Sequence, residues 1–182
     1  IGSYKQQFER LFYFLEEEEL MYIPEGEKWA GIECIEHLNY VSEVYLPQLT
    51  AVCQREEATE RQSFTLNYAQ RQVRKAMLPK PNGKSGMKIQ APKKIQPKRI
   101  QNPEWKISPQ KVMENFLSDT AQLERILNII PVSKELSSAR ITTVVPPLKS
   151  SALTCIELLI GHMGRHLAQA ERILNGGKTE KA

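Results

Sequence analysis

Four stretches of this chain repeat apolar side chains every three or four residues, and that spacing restricts the fold more than any other feature. The first runs from Ser3 to about Tyr22, with Phe8, Leu11, Phe12 and Leu15 on one face, and Pro24 and Gly26 close it. The second starts near Trp29 and runs towards Arg55, with Ile32, Ile35, Leu38, Val41, Tyr45, Leu49 and Val52 as its stripe. Pro47 lies inside it, lacks a backbone donor, and is expected to kink or divide that helix. The third opens on Ser108 as N-cap with Pro109 at the first helical position, and Val112, Met113, Phe116, Leu117, Thr120, Leu123, Leu127 and Ile130 lead to Pro131. The fourth spans about Ser151 to Asn175, buries Ile156, Leu159, Ile160, Met163, Leu167, Ala170 and Leu174, and stops at Gly176-Gly177. A helix with one apolar stripe must lay it against another element. Four of them predict an all-α chain, a four-helix bundle with long crossing loops.

The connections differ in character. Residues 56–107 show no long periodic segment, although a short strand or helix is open for Phe64 to Met77. Pro79, Pro81, Pro92, Pro97 and Pro103 make the remainder a crossing loop, and residues 79–104 are expected to be mobile and to add little to the core. Charge is concentrated there: residues 71–106 carry a net +10, whereas the rest of the chain is −6. Residues 140–148 form an extended connector closed by Pro146-Pro147. The expected organisation is one domain over residues 1–176, with 71–106 as a basic, Pro-rich insertion and 177–182 as a flexible tail.

Several classes drop out. No window approaches the about 18 consecutive apolar residues of a membrane span. The first residues, IGSYKQQFERLF, lack the basic-then-apolar layout of a secretory signal. Cys34, Cys53 and Cys155 are odd in number and suit reduced thiols, so a cytoplasmic location is expected. No Walker loop, Rossmann turn or Ser/Cys nucleophile motif is present. The basic stretch has only Trp105 as an aromatic neighbour, too few for a stacking platform. Nucleic-acid binding is therefore not favoured, and a lid over an anionic substrate suits the charge better.

The chemistry rests on three histidines. His162 and His166 are four apart on the fourth helix, so they differ by about 40° in bearing. Their Cβ atoms stand roughly 5–6 Å apart, a spacing from which two imidazoles reach one ion at about 2.0–2.1 Å each. Leu159, Met163 and Ala170 flank them, so the face turns inward. His37 lies between Ile35 and Leu38 on the second helix, at the edge of another buried stripe. Three imidazoles from two facing helices match the three-ligand, open-position arrangement of a catalytic metal. Three separately hydrogen-bonded histidines are the competing account.

These segments carry a resemblance. EKWAGIECIEHLNYV, followed far downstream by ELLIGHMGRHLAQAERIL, resembles the DinB/YfiT superfamily, through Trp29, His37, Leu38, His162, Arg165, His166 and Gln169. SPQKVMENFLSDTAQLERIL is similar to the family's third helix, so the likeness covers about residues 1–55 and 105–176. The resemblance implies an up-down-down-up four-helix bundle with a three-His metal centre. It also implies a divalent ion, zinc or nickel, and a thiol-dependent transferase or isomerase using bacillithiol, mycothiol or a related low-molecular-weight thiol.

Around the ion, Glu33 lies one turn before His37 and is the candidate to orient a ligand or act as base, with a solvated helix residue as the alternative. Glu36 is adjacent in sequence and is expected to point away. Gln169 and Tyr40 are candidates to line the pocket, with core-edge packing as the alternative. Cys34 and Cys155 suit small buried hydrophobes. The expected function is metal-dependent transfer of a small thiol to a small-molecule electrophile, or hydrolysis of a small substrate. The alternative is a metal-binding or interaction bundle without catalysis. A homodimer is an open assembly.

Overall fold

A computed structural model describes residues 1–54, 68, 71, 72, 91–129 and 139–176 of the chain. Its long helices are α1 (Gly2–Phe12), α3 (Gly31–Cys53), α5 (Pro109–Ile129) and α6 (Ala152–Leu174). Two short helices, α2 (Glu17–Met21) and α4 (Lys98–Gln101), and a 3-10 turn at Lys93–Ile95 lie between them. The starts follow the capping logic. The Ser108 hydroxyl accepts from the Lys111 N–H at 3.4 Å, and the Ser151 hydroxyl from the Thr154 N–H at 3.2 Å. Ile130, Pro131, most of the Phe64–Met77 stretch and residues 177–182 lie outside the described residues; Tyr68, Arg71 and Gln72 are helical.

Two expectations about the helices need correction. The first helix does not run through to Tyr22 but breaks after Phe12. Glu16 starts a new turn there, because the Glu19 carboxylate accepts the Glu16 N–H at 2.9 Å in a capping box. The turn leaves Phe14 exposed and brings Leu20 into the core. Pro47 does not divide α3, which is continuous past it. Beside it, Gln48 spans to the next element. Its amide donates to the Val44 and Thr142 carbonyls at 2.6 and 3.1 Å, and its carbonyl accepts the Thr142 N–H at 3.0 Å. The connector before α6 is partly a ribbon: β1 (Arg140–Thr142) pairs antiparallel with β2 (Lys149–Ser151), Ile141 opposite Ser150.

Contacts between helices set their directions. Asn39 reaches the Val112 carbonyl and Gln122 reaches Thr50, so α3 and α5 run the same way. Gly31 lies against Leu174 while Gln48 meets Thr142 just ahead of α6, so α6 runs opposite to α3. Tyr4 meets Gly164, and Gln7 and Arg10 hold Glu171 at 3.1 and 2.7 Å, so α1 runs with α6. The arrangement is up-down-down-up. Its centre is aromatic and aliphatic: Phe8 stacks on Phe12 and packs on Phe116, among Ile32, Leu49, Leu123, Ile156 and Leu167, all buried.

The basic stretch is not wholly peripheral, contrary to the expectation for residues 79–104. Ile95 is 4% exposed and belongs to the core, and Arg99 is tied to α3. Residues 91–104 thus include a packed segment, while 79–90 lie outside the described residues.

Candidate metal centre

The antiparallel packing of α3 against α6 brings the second turn of one helix beside the second half of the other. His37 comes from the first; His162 and His166, one turn apart, come from the second. One nitrogen from each of the three rings lies within 4.8 Å of the others. Ring centroids are 5.0 Å apart for His37–His162, 4.6 Å for His37–His166 and 4.5 Å for His162–His166. Trp29 leans over two of them, 5.2 Å from His37 and 5.8 Å from His166, nearly parallel to the latter at 21°.

Hydrogen bonding fixes the protons. The Ile95 carbonyl can only accept, so His37 Nδ1, at 2.5 Å from it, carries the ring proton. His37 Nε2 is then a bare lone pair, and it faces His162 Nε2 at 2.8 Å. His162 donates across that contact through Nε2, which leaves its Nδ1 bare. That Nδ1 and the Nδ1 of His166 are buried and have no hydrogen-bond partner among the described residues. Orphaned polar atoms in a core are costly, and a shared cation is one way to satisfy a cluster that proteins alone leave unpaired.

Electrostatics keep the cluster neutral. Burial pulls His37 down to about 4, with the Ile95 hydrogen bond opposing and the charge of Arg165 adding to the fall. Burial, then the charges of His37 and Arg165, pull His162 down to about 3. His166 lies well below its ordinary value for the same first reason, reinforced by His162, His37 and Arg165 and opposed by a hydrogen bond with Gln169. Neutral imidazole is the form that binds a metal. Two nitrogens on one tetrahedral ion stand about 3.3 Å apart, so for the two Nε2 atoms at 2.8 Å to share an ion they must part slightly and the His162 proton must move from Nε2 to Nδ1. Three converging neutral imidazoles, with no carboxylate in the cluster among the described residues, fit a divalent ion.

The neighbouring candidates fall elsewhere. Glu33 is buried, but both its oxygens are engaged: one takes the Ala30 N–H at 2.8 Å, and the two together hold Arg99 at 2.6 and 2.9 Å. Glu36 does not point to solvent; it is 4% exposed. Its pKa is raised by burial, against the Tyr40 hydroxyl, which donates to it at 2.6 Å. That bond turns the Tyr40 hydroxyl to Glu36, while Lys98 Nζ sits 5.6 Å from the Tyr40 ring and 4.3 Å from that of Trp105. Gln169 is half-buried beside His166. Cys34 and Cys155 are buried free thiols, both pushed upwards by burial, Cys155 to about 12.

Sequence reasoning missed Ile95 and Arg99, which come from the irregular basic stretch. A backbone carbonyl leaves no mark in residue type, and Arg99 was one charge among eleven.

No helix among the described residues is long and apolar enough to cross a membrane. No curated protein and no solved structure matches the chain. A family model does, that of the DinB superfamily, over residues 5–170, and its span takes in all three histidines, the whole of α3 and most of α6. The chain belongs to the DinB superfamily.

Proposed function

We propose that this DinB bundle is a metal-dependent enzyme that transfers a low-molecular-weight thiol to a small electrophile. The observation that carries the reading is the convergence of three neutral imidazoles from α3 and α6, His37 and His166 buried and His162 half-buried. Three nitrogen ligands leave at least one coordination position for a reactant. Zinc or nickel suits imidazole donors. A divalent ion bound there supplies charge that favours the thiolate over the thiol, or hydroxide over water.

The protein's own groups supply the rest. His37, His162 and His166 hold the ion, and Trp29 shields one side of the rings from solvent. Arg165 sits between the two α6 ligands in sequence, is half-buried, and meets no carboxylate among the described residues. It is placed to take the carboxylate of an anionic thiol such as cysteine or a cysteine conjugate. Gln169, beside His166, offers a neutral hydrogen-bonding group at the same end. Glu33 is committed to Arg99, so a general base from the protein is not required by this scheme; the thiol loses its proton to solvent.

The test uses untagged protein loaded with zinc or nickel, monochlorobimane as electrophile, and cysteine, glutathione, bacillithiol or mycothiol as donor. A conjugation rate above background with at least one thiol, lost on chelation and in His162→Ala, is the expected result. No rate with any of them, and no hydrolysis of simple esters or amides, would overturn the catalytic reading and leave a metal-binding protein without turnover.

A further inference from the structure

We propose that the basic segment 91–101 is a positioning element for the ligand His37, held in place by the Arg99–Glu33 ion pair. The inference deepens the metal reading and rests on it for its consequence in affinity, though its structural part stands apart from any ion.

The observations form one chain. His37 Nδ1–H donates to the carbonyl of Ile95, which lies 58 residues further along the sequence. That bond selects the tautomer whose Nε2 is free to coordinate, and it fixes the rotation of the ring. The carbonyl is in turn held by its segment. Ile95 is anchored in the core at 4% exposure, and its own N–H closes the turn on Pro92 at 3.0 Å. One turn later, Arg99 grips Glu33 through Nε at 2.6 Å and Nη2 at 2.9 Å, and a further bond reaches the Lys28 carbonyl at 3.1 Å. Glu33 lies four residues before His37 on α3 and also caps that helix through the Ala30 N–H. The segment is therefore fastened to the helix turn just before the one that presents the ligand. A carboxylate 1% exposed requires this partner, because a buried unpaired charge is costly.

Prolines suit the task. Pro92 and Pro97 fix the backbone on either side of Ile95, so the carbonyl points one way with little entropy left to lose. An irregular chain that carries one well-held carbonyl serves a ligand as a helix could not, since helical carbonyls are already taken.

The consequence is specific. Without Arg99 the segment loosens, the Ile95 carbonyl no longer selects Nδ1–H, and His37 divides its proton between both nitrogens. Loss of such an outer hydrogen bond typically weakens metal binding about 10–100-fold.

The experiment compares wild type, Arg99→Ala and Arg99→Lys. Two-bond proton–nitrogen correlation spectra of the metal-free proteins report the His37 tautomer, and competition against a chromophoric chelator reports zinc affinity. The expected result is the Nδ1–H form in wild type and a mixed tautomer in Arg99→Ala, with affinity about 10–100-fold weaker. Arg99→Lys, which keeps the charge without the fork, falls between. Helicity stays unchanged, which separates positioning from unfolding. Should Arg99→Ala fail to fold, Arg99→Lys and the wild-type tautomer decide. A wild-type His37 protonated at Nε2, or Arg99 variants with unaltered tautomer, overturns the proposal whatever the affinity does. If wild type shows the Nδ1–H form and the variant loses it, yet neither binds zinc or nickel, the positioning proposal holds and the metal reading fails.

Discussion

Burial sets a charge preference at each ionisable side chain, and the histidines of α3 and α6 and Asp119 of α5 show opposite uses of it. At the histidines, burial keeps the rings neutral and ready for a cation. At Asp119 it raises the carboxyl to about 7, helped by the charge of Glu43 and opposed by a hydrogen bond with Ser42. The sign follows from linkage: the folded state keeps a proton that the unfolded chain releases near pH 4. Stability from this residue is full below about pH 4 and is lost as pH rises towards 7. Asp119→Asn removes that loss. The variant is expected to be about 1–3 kcal/mol more stable than wild type at pH 8 and to show no advantage at pH 4. Urea unfolding at both pH values checks it, and an equal gain at both would assign the effect to packing instead. Residue type and spacing in the sequence pointed to His37, His162 and His166, because helical period fixes bearing. They favoured Glu33 over Glu36 as the residue beside the ligands, but did not show the partner that each carboxylate takes. Both are buried, and their partners Arg99 and Tyr40 follow from a tertiary contact and a chosen rotamer.

Helices were legible where an apolar stripe met a cap. Ser108 and Ser151 mark real starts, and Gly176 takes a φ of +65° just past the end of α6. The break between α1 and α2 was hidden, because Phe8, Leu11, Phe12 and Leu15 continue the period across it. Only the reciprocal capping of Glu16 and Glu19 reveals a new start. The ribbon β1–β2 has three residues in each strand, too short for a period of two to register. Packing of the elements centres on Phe116, whose ring centroid lies 4.5 Å from that of Phe8. Phe116→Ala should cost about 3–5 kcal/mol by removing a side chain that joins α5 to α1. Chemical denaturation measures it. A loss below about 1 kcal/mol would mean that α1 contributes little to the cooperative unit.

Across the whole molecule, charge and packing are divided between the bundle and the basic stretch that crosses it. The +10 net charge of residues 71–106 hid a segment that enters the core through Ile95 and grips α3 through Arg99. Composition describes the average of such a stretch, whereas one apolar residue between prolines decides its anchoring. The up-down-down-up order follows from which helices share contacts, and its outcome is to place α3 antiparallel to α6 with three imidazoles between them. Whether those imidazoles share an ion is the claim on which the functional reading stands. Protein purified without a His tag, stripped with chelator and titrated with zinc or nickel, should take up one ion per chain, and His162→Ala should take up none while keeping its helicity. Equal uptake by wild type and His162→Ala, or no uptake by wild type at micromolar metal, would contradict it.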